Sequence, residues 1–174
     1  MRITISALLV LSFAVLNSCN QQLKKNYPYY LSEEEIADLN PIDSIGALHL
    51  ESLSGDSIRI GKNSTKNTVL VFFATWCGSC KVAIPKIDAA FDKNENLNVI
   101  AVGREHSKEE LLSWADDKYI KMDVVADENG ETYSKFADQY IPRIYVIDKE
   151  GKVLFQGYGW DNYMLDYIER AVRN

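Results

Sequence analysis

The stretch VLVFFATWCGSCKVAIP, from Val69 to Pro85, decides how this chain is read. With Thr68 in front of it, the run to Ala74 is continuously apolar and rich in β-branched and aromatic residues. That is the signature of a strand buried on both faces, as in the middle of an α/β sheet. Beyond Cys80, the residues Ala83, Ile84, Ile87, Ala90 and Phe91 recur at three- and four-residue spacing. This predicts a helix to about Lys93 with one apolar face, kinked at Pro85. Cys77-Gly78-Ser79-Cys80 therefore sits where a buried strand hands over to a helix. A thiolate is the reactive form of cysteine, and an ordinary thiol (pKa ~8.5) is mostly protonated at neutral pH. Unpaired backbone N–H groups and the helix dipole favour a negative charge at a helix start. Cys77, outermost, gains most; Cys80, one turn inward, is near enough to close a small disulfide. The pattern reads as Cys77 attacking a substrate disulfide and Cys80 resolving the mixed disulfide. Gly78 keeps the loop free of bulk, and Trp76 offers a flat apolar shoulder for a substrate chain.

On the N-terminal side, Leu48 to Leu53 and Ser57 to Ile60 alternate loosely around Ser54-Gly55-Asp56, which predicts a β-hairpin. On the C-terminal side, Asn98 to Gly103 reads as a second buried strand. Ser107 with Glu110 makes a capping box that opens a helix through Leu111, Leu112, Trp114 and Ala115. A short strand follows at Met122 to Ala126, then a turn at Asp127 to Gly130 and a helix from about Glu131 to Gln139. Ile144 to Asp148 is a third core strand. Lys149-Glu150-Gly151 fits a short hairpin loop with glycine at a left-handed position, and Val153 to Gln156 returns antiparallel. Asp161 caps a last helix whose Leu165, Ile168, Ala171 and Val172 face inward. Strands alternating with helices and closing in a hairpin predict an α/β fold, a mixed central sheet flanked by helices.

The 174 residues carry 47% hydrophobic and 25% charged residues, the composition of an ordinary globular domain. The net charge of −6 makes the chain a poor general binder of phosphate backbones, so no nucleic-acid partner is expected. Three cysteines are too few for a disulfide scaffold. Zinc needs further ligands beside Cys77 and Cys80; Cys19, His49 and His106 are not at usual ligand spacing, so neither a metal nor a cofactor is expected. At the N-terminus, Arg2 precedes an uncharged apolar run from Ile3 to Leu16. It is short of the ~20 residues needed to span a bilayer and fits the core of a signal peptide. Leu16-Asn17-Ser18-Cys19 resembles a bacterial lipobox, in which the cysteine becomes the lipidated N-terminus. The resulting division is a lipoprotein signal peptide at 1–18, a tether and short helix at 19–44, and the folded domain at 45–174. Several acyl chains hold such a domain stably at a membrane.

Val69 to Pro85 resembles the active-site segment of the thioredoxin superfamily. The nearest resemblance is to the TlpA/ResA-like thiol–disulfide oxidoreductases, bacterial, membrane-tethered and extracytoplasmic. It extends over about Ile45 to Val172 and includes the N-terminal hairpin, the Trp-Cys-x-x-Cys-Lys run, the helix and strand inserted at about 107–126, and Ile141-Pro142 before a core strand. The resemblance implies a thioredoxin-like fold with catalytic Cys77 and Cys80. It implies that Pro142 is cis and faces the disulfide, that the Ile141 backbone pairs with a bound substrate strand, and that Gly159 leaves room beside the disulfide. It also implies protein substrates with disulfides, a membrane thiol electron donor, and a lipid-anchored domain facing the periplasm in the cell envelope. Reduction is the direction the tethered group favours, as in cytochrome c maturation.

The chain departs from the pattern at several positions. Ser79 replaces the frequent proline before the second cysteine. Val71 and Ala83 stand where relatives carry a buried Asp or a Glu that relays protons; Glu105 and Asp161 are candidate substitutes. Arg143 follows the cis-proline where threonine is common, and either points at the site or faces solvent. Trp76, Tyr140, Tyr158 and Trp160 are candidates for an apolar substrate rim. Three rival readings remain open: a disulfide oxidase or isomerase using the same cysteines, a copper(I)-binding thiol module with His106 as an added ligand, and a thiol peroxidase, which needs a solitary cysteine in a different motif.

Overall fold

A computed structural model describes residues 41–173. The expected signal peptide, Cys19, the short helix expected at Ser32 to Leu39 and most of the expected tether lie outside the described residues; the end of that tether, Ile42 to Ser44, is described and bonds to Val153, Gln156 and Lys152 along the sheet edge. Strand β3 (Asn67–Phe73) is buried along nearly its whole length and occupies the middle of a five-stranded sheet. Its neighbours are β4 (Leu97–Arg104), paired parallel, and β6 (Arg143–Ile147), paired antiparallel. Strand β5 (Asp123–Asp127) extends the parallel half, and β7 (Val153–Tyr158) closes the other edge antiparallel to β6. The sheet is mixed because α1 (Cys80–Phe91) carries β3 to β4 by a crossover, whereas β6 and β7 are joined by a tight loop. That loop turns at Gly151, whose φ of +92° is open to glycine at little cost.

A strand buried on both faces needs two cores, and alternate residues of β3 supply them. Val69, Val71 and Phe73 join Ile84, Ile87 and Phe91 of α1, Leu111 of α2 (Lys108–Lys118), and Met164, Ile168 and Ala171 of α3 (Met164–Arg173). Leu70 and Phe72 point the other way, into a cluster with Leu50 and Ile60 of the hairpin and with Tyr133, Phe136 and Tyr145. The hairpin is β1 (Ala47–Glu51) against β2 (Ser57–Gly61), as the alternation predicts. Helix α2 begins on the complete Ser107/Glu110 capping box. Helix α3 starts where the Asp161 carboxylate accepts the Tyr163 and Met164 N–H groups at 2.8 Å.

The helix expected at Glu131 to Gln139 is instead one 3₁₀ turn, Tyr133–Lys135. The buried Asp127 carboxylate accepts the Thr132 and Tyr133 N–H groups and starts the turn. Side chains then take over the carbonyls that a longer helix needs: Tyr145 Oη donates to the Phe136 oxygen at 2.8 Å and Tyr133 Oη to the Tyr140 oxygen at 2.9 Å. The segment is drawn onto the sheet at Tyr133, Phe136 and Ala137, all buried within a single turn. Helix α1 runs through Pro85, where the missing N–H removes one intrahelical bond.

The inserted helix–strand unit is anchored to α1 by Asp88. This buried carboxylate accepts the Met122 N–H at 2.7 Å and the Lys121 N–H at 3.2 Å. An Asp88→Ala chain should lose about 3 kcal/mol of unfolding free energy, since two bonds to a charged acceptor vanish and leave buried donors. Urea denaturation measures it; a loss below about 1 kcal/mol means that the insertion is held by its apolar contacts alone.

Candidate active site

Strand β3 ends at Phe73, and the chain turns at once, with the Cys77 N–H donating to the Ala74 carbonyl at 3.1 Å. The first helical turn follows: the Cys77 carbonyl accepts from Lys81 N–H at 3.2 Å, and the Ser79 carbonyl accepts from Val82 and Ala83. The Cys77 sulfur thus sits at the start of α1, whose first turn holds no acidic side chain to oppose a negative charge. Cys77 and Cys80 are joined by a disulfide, with Cα atoms 5.3 Å apart. Cys77 keeps 7% of its surface exposed and Cys80 only 1%, so an approaching sulfur meets Cys77 first. The Cys80 N–H donates to Cys77 Sγ at 3.2 Å, a bond that strengthens when the sulfur carries charge.

Ser79, in the place of the frequent proline, brings its hydroxyl oxygen 3.5 Å from Cys77 Sγ. When Cys77 is a thiolate, that hydroxyl is a second donor, which proline is not. Its neighbour Gly78 opens on empty space where a side chain would stand, and Trp76 is 67% exposed beside the disulfide.

The other wall comes from the far end of β6. The Ile141–Pro142 peptide bond is cis, and the Ile141 carbonyl oxygen lies 3.7 Å from Cys77 Sγ. Pro142 is buried and Ile141 half-buried. Gly159 is fastened to this loop, donating its N–H to the Pro142 carbonyl at 2.9 Å. A Cβ at Gly159 would meet no atom within 4 Å, so the space beside it is open. Its φ of +71° is what favours glycine. Tyr140, itself at φ +66°, stacks on Tyr158 with ring centroids 4.8 Å apart. Tyr140 is half exposed and, with Trp76, borders the disulfide loops; Trp160 packs against the core.

Arg143 does neither of the two things expected of it. One residue after Pro142, it shares the parity of Tyr145 and Ile147, on the sheet face away from the disulfide. It is 1% exposed and its Nε donates to Tyr145 Oη at 3.0 Å. With Arg143 beside it, Tyr145 still keeps its proton above the ordinary range, because burial outweighs the nearby cation. Among the described residues, neither candidate proton acceptor bonds to a sulfur of the pair. Glu105 is bound by Arg104 at 2.7 Å and Asp161 caps α3. His106 is buried, with Nε2 accepting the Thr75 N–H at 3.0 Å, so that nitrogen is already engaged. Sequence reasoning missed this contact because it depends on the register of β3 against β4.

A central strand delivering a Cys-x-x-Cys pair to a helix start, across from a cis-proline, defines a thioredoxin-fold redox domain. The chain belongs to the AhpC/TSA family, whose model matches residues 43–156. The thiol–disulfide oxidoreductase YkuV of Bacillus subtilis is 30% identical over 121 residues, covering 66% of this chain and 82% of its own. The thiol–disulfide oxidoreductase ResA of Bacillus cereus is 24% identical over 130 residues, 74% of either chain. The fold matches a solved structure of a putative protein disulfide isomerase from Bacteroides thetaiotaomicron with TM-score 0.69 at 19% identity, over 79% of this chain and 94% of that one.

Proposed function

We propose that this thiol–disulfide oxidoreductase reduces disulfides of other proteins in the bacterial cell envelope. The observation that carries the reading is the asymmetry of the pair: Cys77 is the sulfur that is reachable, charge-stabilised and opposite the cis-proline loop. In the reduced state the Cys77 thiolate attacks a substrate disulfide. A Cys77–substrate bond forms, the substrate bond breaks, and one substrate sulfur leaves as a thiolate. Cys80 then attacks Cys77 Sγ, restoring the internal disulfide and releasing the second substrate thiol. Trp76, Gly78 and Ser79 line one side of the approach. Ile141, Pro142 and Gly159 line the other, where the Ile141 backbone pairs with an extended substrate segment. Each cycle consumes two electrons, which in this reading are returned to the Cys77–Cys80 pair by a membrane thiol donor.

The lipobox-like Leu16 to Cys19 supports a tether, with 1–18 removed as a signal peptide, Cys19 lipidated, 19–44 as spacer and the folded domain of 45–174 facing the periplasm. No helix among the described residues is long and apolar enough to cross a membrane. Maturation of cytochrome c is the physiological role this placement favours. The described residues hold two cysteines, bonded to each other, and so offer no solitary peroxidatic cysteine.

Equilibration with glutathione, on the protein without its signal peptide, tests the direction of electron flow. A potential near or below roughly −250 mV, in the thioredoxin range, is expected. A value of roughly −120 to −180 mV, in the range of oxidants and isomerases, overturns the reductase reading.

A further inference from the structure

We infer that His106 is a positioning residue for Cys77, acting through the Ala74–Thr75 peptide. That single peptide unit is gripped at both ends. Its N–H, on Thr75, donates to His106 Nε2 at 3.0 Å, and its carbonyl, on Ala74, accepts the Cys77 N–H at 3.1 Å. The Thr75 hydroxyl also lies 3.3 Å from the same ring nitrogen. The ring therefore fixes the plane of the peptide, and the plane fixes where the backbone of Cys77 begins. Cys77 Sγ in turn must meet the Cys80 N–H at 3.2 Å to hold charge.

The imidazole is itself held. The parallel register of Phe73 on Gly103 brings the ends of β3 and β4 side by side, and the chain turns at Glu105, φ +58°, to place His106 beside Thr75. The ring is 7% exposed. With Nε2 accepting, the ring carries its proton on Nδ1, which faces Glu110 Oε2 at 3.8 Å. Glu110 is fixed by the α2 capping box: its carboxylate accepts the Ser107 N–H at 2.8 Å while its own N–H reaches Ser107 Oγ. That backbone bond and then the Ser107 hydroxyl hold the Glu110 carboxyl below the usual range, so it stays an anion facing the ring. The inserted helix α2 thus connects to the residue of the attacking sulfur through Glu110, His106 and the Ala74–Thr75 peptide. A satisfied core histidine would also be buried and bonded. What sets this one apart is that its acceptor bond terminates on the peptide that places the nucleophile, where a displacement of about 1 Å can cost up to a hundredfold.

The inference rests on Cys77 being the attacking sulfur, and the experiment separates the two. The reduced protein is alkylated with iodoacetamide across a pH series, with the modified cysteine identified by mass. In wild type, Cys77 is modified first. His106→Leu should slow that modification at neutral pH about tenfold, the scale of one lost hydrogen bond, with the pH profile displaced upward. His106→Gln, whose side-chain oxygen reaches the Nε2 position, should stay within about threefold of wild type. In labelled wild type, imidazole ¹⁵N shifts should show Nε2 without a proton, a readout that stands even if the leucine variant fails to fold. A wild-type rate in His106→Leu, equal slowing in both variants, or a proton on Nε2 overturns the inference alone. Preferential modification of Cys80 in wild type overturns it together with the assignment of Cys77.

Discussion

Cys77→Ser is expected to abolish disulfide exchange, by roughly a thousandfold or more in rate, because a serine hydroxyl neither ionises at neutral pH nor forms a bond to sulfur. Cys80→Ser is expected to do something different. Attack by Cys77 goes ahead, but no thiol remains to resolve the product, so a covalent adduct with the substrate accumulates. Non-reducing electrophoresis and intact mass with a disulfide-bearing protein substrate distinguish the two. The asymmetry follows from position: Cys77 stands at the open end of the first helical turn with the Cys80 N–H and the Ser79 hydroxyl beside its sulfur, while Cys80 is 1% exposed behind it. A Cys77→Ser protein that traps substrate through Cys80 would reverse the roles and sink the assignment. Stability cannot account for the expected difference, because both variants lose the same internal disulfide. That disulfide closes a very short loop, where chain-entropy stabilisation is small.

The strands and the cysteine pair were legible because their signals are local. A buried run such as Thr68 to Phe73 announces itself through composition, and Cys77 and Cys80 are separated by a single helical turn. The capping box at Ser107 was equally legible, since both of its partners lie within four residues. What was hidden depends on register and parity. Arg143 was read as a group at the site or in solvent. Yet β6 alternates, and the face that places Ile144 and Val146 with the disulfide sends Arg143 and Tyr145 to the opposite core. His106 was weighed as a metal ligand because nothing in the sequence brings it to Thr75; the pairing of β3 with β4 does. The segment 131–139 has helix-compatible residues, but Tyr133 and Tyr145 take the carbonyls of Tyr140 and Phe136, and the chain leaves the helix after one turn. In each case the residue was noticed and its partner was not, since the partner is distant in the chain.

The second large effect is expected far from the sulfurs, at Phe72. Its ring is fully buried in the middle of β3, on the face away from the disulfide. It meets Tyr133 edge-on at 5.3 Å, Phe136 at 5.1 Å and Tyr145 edge-on at 6.2 Å. Phe72→Ala should cost about 4 kcal/mol, from lost burial, the cavity left behind and three lost ring contacts. Against a typical total of about 5–15 kcal/mol this is a large share. Denaturant unfolding should show a lower midpoint at a similar slope. The loss should also reach the active-site loop. Tyr133 and Tyr145 hold the Tyr140 and Phe136 carbonyls, and the chain between them leads directly into the cis Ile141–Pro142 bond. Ile87→Ala removes comparable bulk from the opposite core, under α1, and leaves those carbonyl contacts untouched. Amide hydrogen exchange over residues 136–142 should therefore rise more in Phe72→Ala than in Ile87→Ala at matched global stability. Equal exchange in the two variants would mean that the aromatic cluster stabilises the sheet without bracing the loop. A greater rise in Phe72→Ala would mean that one wall of the site is set by a core on the other side of the sheet.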